Sequence, residues 1–365
     1  MMKKRGFGLM RLPMIGEEVD MEQVKQMVDL FLERGFTYFD TAYGYIGGKS
    51  EKAVKTALVE RHPRESFQLA TKLPAWAAKS AEEARAMFQT SLERTGAGYF
   101  DYYLLHSLSG GRKQVFDEYG LWDFAAELKR QCLIRKLGFS FHDTADELEI
   151  ILNDHPEVDF VQLQINYADW ENDRIQSRLC YETARRHNKA IIIMEPVKGG
   201  SLSNLPAATA KPLLDYAPTA SLSSWAIRYA ASLEGVISVL SGMSTLAQME
   251  DNTSFMQDFV PLCDKEYEAI EQVQQLLNQS DRIPCTDCRY CLKDCPAQVK
   301  IAPIFAAVNT YKVFNDLNGA RSSYRMHTSK GGGADACIQC GQCESVCPQK
   351  LNIIELLKEA GDLLG

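Results

Sequence analysis

Residues 37–51 read TYFDTAYGYIGGKSE. A short apolar run, Thr37–Asp40, ends on a carboxylate and passes straight into a loop of glycines and tyrosines. Seven more runs share that brevity and apolarity: Gly6–Met10, Phe67–Thr71, Asp101–Leu105, Ile134–Phe139, Phe160–Ile165, Ala190–Met194 and Val236–Leu240. Strands apolar on both faces belong to a parallel sheet with both faces covered. Helical stretches with readable starts lie between them. Asp20-Met-Glu-Gln23, Ser80-Ala-Glu-Glu83 and Thr144-Ala-Asp-Glu147 each have the form of a capping box, and the first two helices stop at Gly35 and Gly96. Eight strands alternating with helices predict an α/β fold, a (β/α)8 TIM barrel over residues 1–262. A doubly wound open sheet is the rival, weakened because no G-x-G-x-x-G follows the first strand.

Composition narrows the function. The 365 residues carry a formal net charge of −8 and no basic stripe, which argues against nucleic acid as a partner. No apolar run reaches the roughly 18 residues a membrane span needs, and the N-terminus lacks the apolar core of a signal peptide. A cytoplasmic protein is expected.

Eight of the eleven cysteines fall in two clusters. Cys285-x2-Cys288-x2-Cys291-x3-Cys295-Pro296 and Cys337-x2-Cys340-x2-Cys343-x3-Cys347-Pro348 are both the bacterial ferredoxin run, whose fourth cysteine ligates the other cluster. The expected ligand sets are Cys285, Cys288, Cys291 and Cys347 for one [4Fe–4S] cluster, and Cys337, Cys340, Cys343 and Cys295 for the other. Structural zinc is the competing explanation, but it prefers two separated pairs and would be crowded by three cysteines so close together. Residues 263–365 are therefore read as a small ferredoxin-like domain, α+β or α-rich. It contains helix-like stretches at Asp264–Gln279, Ile304–Leu317 and Ile353–Leu364 and a basic, aromatic RSSYRMH at 321–327. Cys132, Cys180 and Cys263 lie outside the runs and are read as inert thiols.

Active groups of such a barrel sit at the C-terminal ends of its strands. Asp40, Lys72 and His106 follow consecutive strands, and Tyr45 lies five residues beyond Asp40. Together they make a general-acid kit. Lys72 would favour the phenolate and lower the Tyr45 pKa, Asp40 would hold the lysine, and His106 would orient a substrate oxygen. Tyr43 competes with Tyr45 for the acid role. Trp122 and Phe116 are candidate pocket walls, with core packing as the alternative.

Asp40-x4-Tyr45, Gly47-x-x-Ser50-Glu51, Lys72 and His106 together resemble the aldo-keto reductase family, from Gly6 to about Pro261. With the cysteine runs, the chain resembles the subset that carries a ferredoxin-like C-terminal domain. The resemblance implies Asp40, Tyr45, Lys72 and His106 as a catalytic tetrad, with a small carbonyl or alcohol as substrate. It also implies nicotinamide contacts at Ser140, Gln162 and Met194, and a phosphate loop at Pro196, Lys198, Gly199 and Gly200. Adenosine contacts would fall at Gly242, Gln248, Asp251 and Asn252. Four positions depart from the family pattern. Phe141 stands for an asparagine, Met194 for a stacking tyrosine, and Gly242 and Gln248 for the Lys and Arg of NADP-preferring members, which leaves NADP or NAD open.

Hydride transfer moves two electrons and each cluster passes one, so FMN in the glycine-rich loop is a further candidate cofactor. Three readings follow: a carbonyl–alcohol oxidoreductase exchanging electrons with a ferredoxin-like partner, a nicotinamide-dependent reductase with structural or sensory clusters, and a non-catalytic electron carrier or redox sensor.

Overall fold

The computed structural model describes residues 3–172, 175–279, 282–314 and 317–365. Eight parallel strands close into a barrel: β1 (Arg5–Gly8), β2 (Tyr38–Asp40), β3 (Gln68–Leu73), β4 (Phe100–Leu108), β5 (Ile134–Phe141), β6 (Phe160–Gln164), β7 (Ala190–Met194) and β8 (Val236–Gly242). The (β/α)8 expectation holds strand for strand.

Side chains alternate across each strand, and that period sorts the barrel into two cores. Phe39, Leu69, Leu105, Val161 and Ile191 turn outward and pack in one large cluster with Val24, Met27 and Phe31 of the helix Met21–Glu33. Tyr38, Ala70, Leu104, Phe160, Ile192 and Leu240 form a separate buried cluster, the barrel interior. Gly138 leaves room for Phe160, because a Cβ there would lie 2.5 Å from the Phe160 carbonyl oxygen. One strand period beyond this apolar layer come Asp40, Lys72, His106, Ser140, Gln162, Met194 and Gly242. The polar residues are thus the next inward rung, at the barrel's C-terminal mouth.

Two of the expected helix caps form. Asp20 accepts the Gln23 backbone N–H at 3.1 Å, and the Ser80 hydroxyl accepts that of Glu83 at 3.2 Å. Thr144 precedes the helix Ala145–Asp154 but makes no side-chain cap. The Gln176 side-chain oxygen, 31 residues away, accepts the Ala145 N–H instead at 2.9 Å.

The chain divides into two compact units, Met1–Val197 with Ser223–Cys263, and Lys198–Leu222 with Asp264–Gly365. Residues Lys198–Leu222, read from sequence as part of the barrel segment, group with the C-terminal unit, where the helix Ala207–Tyr216 packs on Asp264–Asn278. Among its described residues the second unit holds helices and turns and no strand. Ile304, Phe305 and Val308 of the helix Ile301–Phe314 pack against Ile353, Leu357 and Leu364 of Ile353–Leu364. Of the expected helix Ile304–Leu317, residues 315 and 316 lie outside the described residues. RSSYRMH is helical within Leu317–Thr328, and its Tyr324 hydroxyl accepts the Ala334 N–H at 3.0 Å.

Candidate active site and cysteine cavities

Asp40 and Lys72 are 2% and 1% exposed and joined by a short hydrogen-bonded ion pair. The Lys72 ammonium also donates to the Thr41 carbonyl at 2.8 Å and stands 4.8 Å from the Tyr45 ring centroid. Tyr45 meets His106 edge-on, centroids 5.9 Å apart. Gln162 donates to the other Asp40 oxygen at 3.3 Å.

The loop after β2 is fastened by the residues that follow Tyr45. The Ser50 hydroxyl donates to the Leu9 carbonyl at 2.9 Å and lies 2.7 Å from the Thr41 hydroxyl. Glu51, fully buried, accepts from Thr71 at 2.8 Å and from Arg94 at 3.2 Å. Gly48, at φ 87°, faces the Arg94 guanidinium at 2.9 Å from where a Cβ would stand, so a side chain there would displace the arginine. Arg94 also covers the Tyr43 ring at 4.3 Å, while Tyr45 faces Lys72 and His106. The geometry separates the two tyrosines.

Electrostatics depart from the expectation at one point. The Tyr45 phenol lies well above its ordinary pKa, first through desolvation and then through the carboxylates of Asp40 and Glu195. The anticipated lowering by Lys72 does not outweigh these, and its ammonium is paired with Asp40. Burial raises the Asp40 pKa against the pull of Lys72, and burial lowers that of Lys72 against the pull of Asp40. His106, 6% exposed, falls well below the usual imidazole range through burial and then the charges of Lys72, His142 and Arg112. It is neutral at physiological pH.

The expected cofactor residues separate into groups. Ser140 and Gln162 are buried on the inward rung. The Ser140 hydroxyl accepts the Ser107 N–H at 2.6 Å, which leaves its own proton available, and Gln162 spends its amide N–H on Asp40, which leaves its carbonyl oxygen. Met194, half-buried, ends β7, and Pro196 is buried just beyond. Lys198, Gly199 and Gly200 lie in the second unit. Lys198 is 3% exposed and donates to the Gln349 side-chain oxygen at 3.2 Å, and a Cβ on Gly199 would strike the Thr286 carbonyl at 2.2 Å. The loop expected to cradle phosphates is thus packed on the cysteine motifs. Gln248 caps its own helix by accepting the Ser244 N–H at 2.8 Å, and buried Asn252 donates to Ser241 at 3.4 Å. Asp251 is half-buried in the same helix, and Gly242 is exposed at the end of β8.

Three residues near these groups escaped the sequence reading. Arg11, after β1, would touch a Cβ on Gly242 at 3.2 Å and pairs with Glu195 at 3.8 Å. Glu195 sits directly after β7 at φ 58°, and its charge acts on Tyr45. Both are charged residues following strand ends, the same signal that marked Asp40. Trp76 lies 5.2 Å from His106, with the Arg112 guanidinium 4.4 Å from its ring. Trp122 and Phe116, by contrast, are core: 6% and 0% exposed, the former stacked on His155.

In the second unit, Cys285, Cys288, Cys291 and Cys347 line one cavity, and Cys295, Cys337, Cys340 and Cys343 line another. Both runs use left-handed backbone at matching offsets: Asp287 and Gln339, Arg289 and Gly341, Gln298 and Lys350. Among the described residues no three His, Cys, Asp or Glu converge as they would on a single metal ion. Four thiols spread around a cavity fit a cubane better than zinc.

The closed eight-stranded barrel thus carries a tyrosine beside a buried lysine–aspartate pair at its mouth. Residues 5–275 match the aldo/keto reductase family, and residues 284–351 match the 4Fe-4S dicluster domain. The chain belongs to the aldo/keto reductase family. It is 30% identical over 217 residues to an aldo-keto reductase of Mycolicibacterium vanbaalenii, covering 59% of this chain and 72% of that protein. It is 28% identical over 198 residues to a 9,11-endoperoxide prostaglandin H2 reductase of Trypanosoma cruzi, 52% of this chain and 64% of the relative. The barrel fold is shared with an aldo-keto reductase from Bacillus halodurans in its holo form, at TM-score 0.59 and 24% identity over 74% of this chain and 91% of that one. It is also shared with an aldo-keto reductase from Klebsiella pneumoniae in complex with NADPH, at TM-score 0.60 and 20% identity over 77% and 93%.

Proposed function

We propose that this chain interconverts a carbonyl and an alcohol at Asp40, Tyr45, Lys72 and His106, and that two [4Fe–4S] clusters carry electrons to or from a ferredoxin-like partner in the cytoplasm. One observation carries the barrel half of this reading: the Lys72 ammonium, held by Asp40 and the Thr41 carbonyl, stands 4.8 Å from the Tyr45 ring, and neutral His106 lies at that ring's edge.

A bound nicotinamide would supply or accept the hydride. Ser140 still has a hydroxyl proton to donate to its carboxamide oxygen, and Gln162 a carbonyl oxygen to accept from its amide. Met194 would flank the ring. Arg11, lying along Gly242 and paired with Glu195, is a cation that dinucleotide phosphates could meet, with Gln248, Asp251 and Asn252 in the helix beyond. That cation favours NADP(H) over a fully neutral pocket, and NAD(H) requires nothing more than the same contacts.

As charge grows on the carbonyl oxygen, the Tyr45 O–H gives up its proton. Lys72 then stabilises the phenolate, and Asp40 keeps the ammonium in place. His106, uncharged, can hydrogen-bond the substrate oxygen without adding a second acid. Trp76 walls the same space.

The cysteine cavities would hold the clusters with Cys285, Cys288, Cys291 and Cys347 in one set and Cys295, Cys337, Cys340 and Cys343 in the other. The exposure of Cys340, and of Ile338 at 65%, supports electron exchange with an outside protein at the second set. Coupling one-electron clusters to a two-electron site calls for a converter. FMN is the alternative to nicotinamide there, and mass spectrometry of what anaerobically purified protein releases on denaturation distinguishes them.

Replacing Tyr45 with Phe tests the reading. General-acid loss is expected to cut carbonyl reduction by about 10²–10⁴ with iron content unchanged. Full activity in that variant would reject the proposed acid, and with it the tetrad.

A further inference from the structure

The two cavities hold the same ligand type in the same backbone wrap, but their surroundings differ in charge. The first, lined by Cys285, Cys288, Cys291 and Cys347, also includes Gln349. Gln349, 5% exposed, accepts from the Lys198 ammonium, itself 3% exposed. The chain at this lysine is pressed on the Cys285 loop, as the Gly199 approach to Thr286 requires. At the Cys285 sulfur burial acts first, and the charges of the exposed Asp287 and the buried Lys198 then act in opposite directions. Cys347 receives backbone hydrogen bonds from Gln349, Lys350 and Leu351 and the charge of Lys350 as well.

Around the second cavity the remaining lining residues are Ala297, Val299, Ile301, Ile338, Ile354 and Leu357, all apolar. The Glu344 carboxylate acts on one ligand there, Cys343, after burial. Arg289, which also lines the first cavity, pairs with Asp287 at 3.0 Å, and with side chains 68% and 50% exposed both are screened by solvent, unlike buried Lys198.

We propose that Lys198 makes the cluster held by Cys285, Cys288, Cys291 and Cys347 the electron sink of the pair. The inference rests on the two-cluster reading above. Reduction adds one negative charge to a cluster. A buried cation beside it stabilises that charge in a medium where screening is weak, and cluster potential follows local charge, hydrogen bonds to sulfur and solvent exposure. An electron arriving at the exposed Cys340 side therefore passes to the first cluster: one cluster is oxidised by one electron, the other reduced by one, and no bond or proton moves. Lys198 is a positioning and tuning residue, not a ligand.

The test is an EPR-monitored redox titration of the cluster-loaded protein, with iron and sulfide counted on the same sample. Two one-electron waves are expected in the parent protein. Lys198→Met should lower the upper wave so that its reduced-to-oxidised ratio at a fixed potential drops about tenfold, 59 mV for one electron. The lower wave should stay put, and Lys198→Arg should restore the upper one. An independent arm leaves Lys198 intact: Cys340→Ser should abolish or displace the lower wave. Unmoved waves in Lys198→Met at full iron content, or loss of the upper wave in Cys340→Ser, would overturn the assignment. If Lys198→Met fails to hold both clusters, the Cys340→Ser titration decides. A count of about four irons in the parent protein would instead reject the two-cluster reading.

Discussion

The barrel site and the cysteine cavities assemble function in opposite ways. Asp40, Lys72, His106, Ser140 and Gln162 come one apiece from successive strands, spread over more than a hundred residues, and meet only because each is the next inward position above an apolar rung. The cysteines come in two contiguous runs whose local backbone already wraps a cavity, with left-handed residues at repeated offsets. A site built by strand register depends on the whole barrel. A site built by a local run depends on a few turns, and its chemistry is then adjusted by residues from elsewhere in the chain. Lys198, 87 residues before Cys285, is such a residue.

Substitutions should expose that difference. Lys72→Met is expected to have the largest effect, because it removes the ammonium and strands a carboxylate that is 2% exposed. Carbonyl reduction should fall at least a hundredfold by analogy with lost general-acid support, on the order of 10². Stability should drop by about 3–5 kcal/mol, read from the denaturant midpoint of the barrel's near-ultraviolet dichroism. Cys291→Ser should cost about half the iron and leave that midpoint in place, since its cavity belongs to the other unit. A collapse of the barrel signal in Cys291→Ser would erase the contrast between the two sites.

Trp76→Ala should raise KM about fivefold with little change in kcat, a loss of about 1 kcal/mol of aromatic and cation–π support beside His106 and Arg112. A change confined to kcat would place Trp76 in the chemical step instead.

The smallest effects are in pH. Because the Tyr45 pKa lies well above its ordinary value, the acid stays protonated, and carbonyl reduction should show no basic loss attributable to it below about pH 10. His106 is depressed, so the unfolded chain binds a proton there before the folded one does. Its contribution to stability is full above about pH 6.5 and is lost as pH falls from there toward the folded pKa. The melting temperature of the parent protein should decline through that window more steeply than that of His106→Phe.

Much of this was legible in the chain itself. The eight strands were readable because buried parallel strands are short and apolar on both faces, and Asp40, Lys72 and His106 because a charge directly after such a strand breaks its pattern. Arg11 and Glu195 carry the same signal and went unread. The Thr144 cap failed because Gln176, distant in sequence, satisfies the helix end. The direction of the Tyr45 shift was not legible either. It is set first by burial of the phenol and then by the carboxylates of Asp40 and Glu195, matters of side-chain geometry rather than spacing. The assignment of Lys198–Gly200 to the second unit was hidden for a related reason, since a Lys-Gly-Gly run fits a phosphate cradle and a close packing against Thr286 equally well.

The central claim is that the clusters serve the carbonyl site. Rapid-freeze EPR after mixing the pre-reduced, cofactor-loaded protein with a carbonyl substrate tests it most directly. The account predicts that the reduced-cluster signal decays at the rate at which alcohol appears, and that it persists in Tyr45→Phe. Alcohol formed at full rate with the cluster signal unchanged would contradict it.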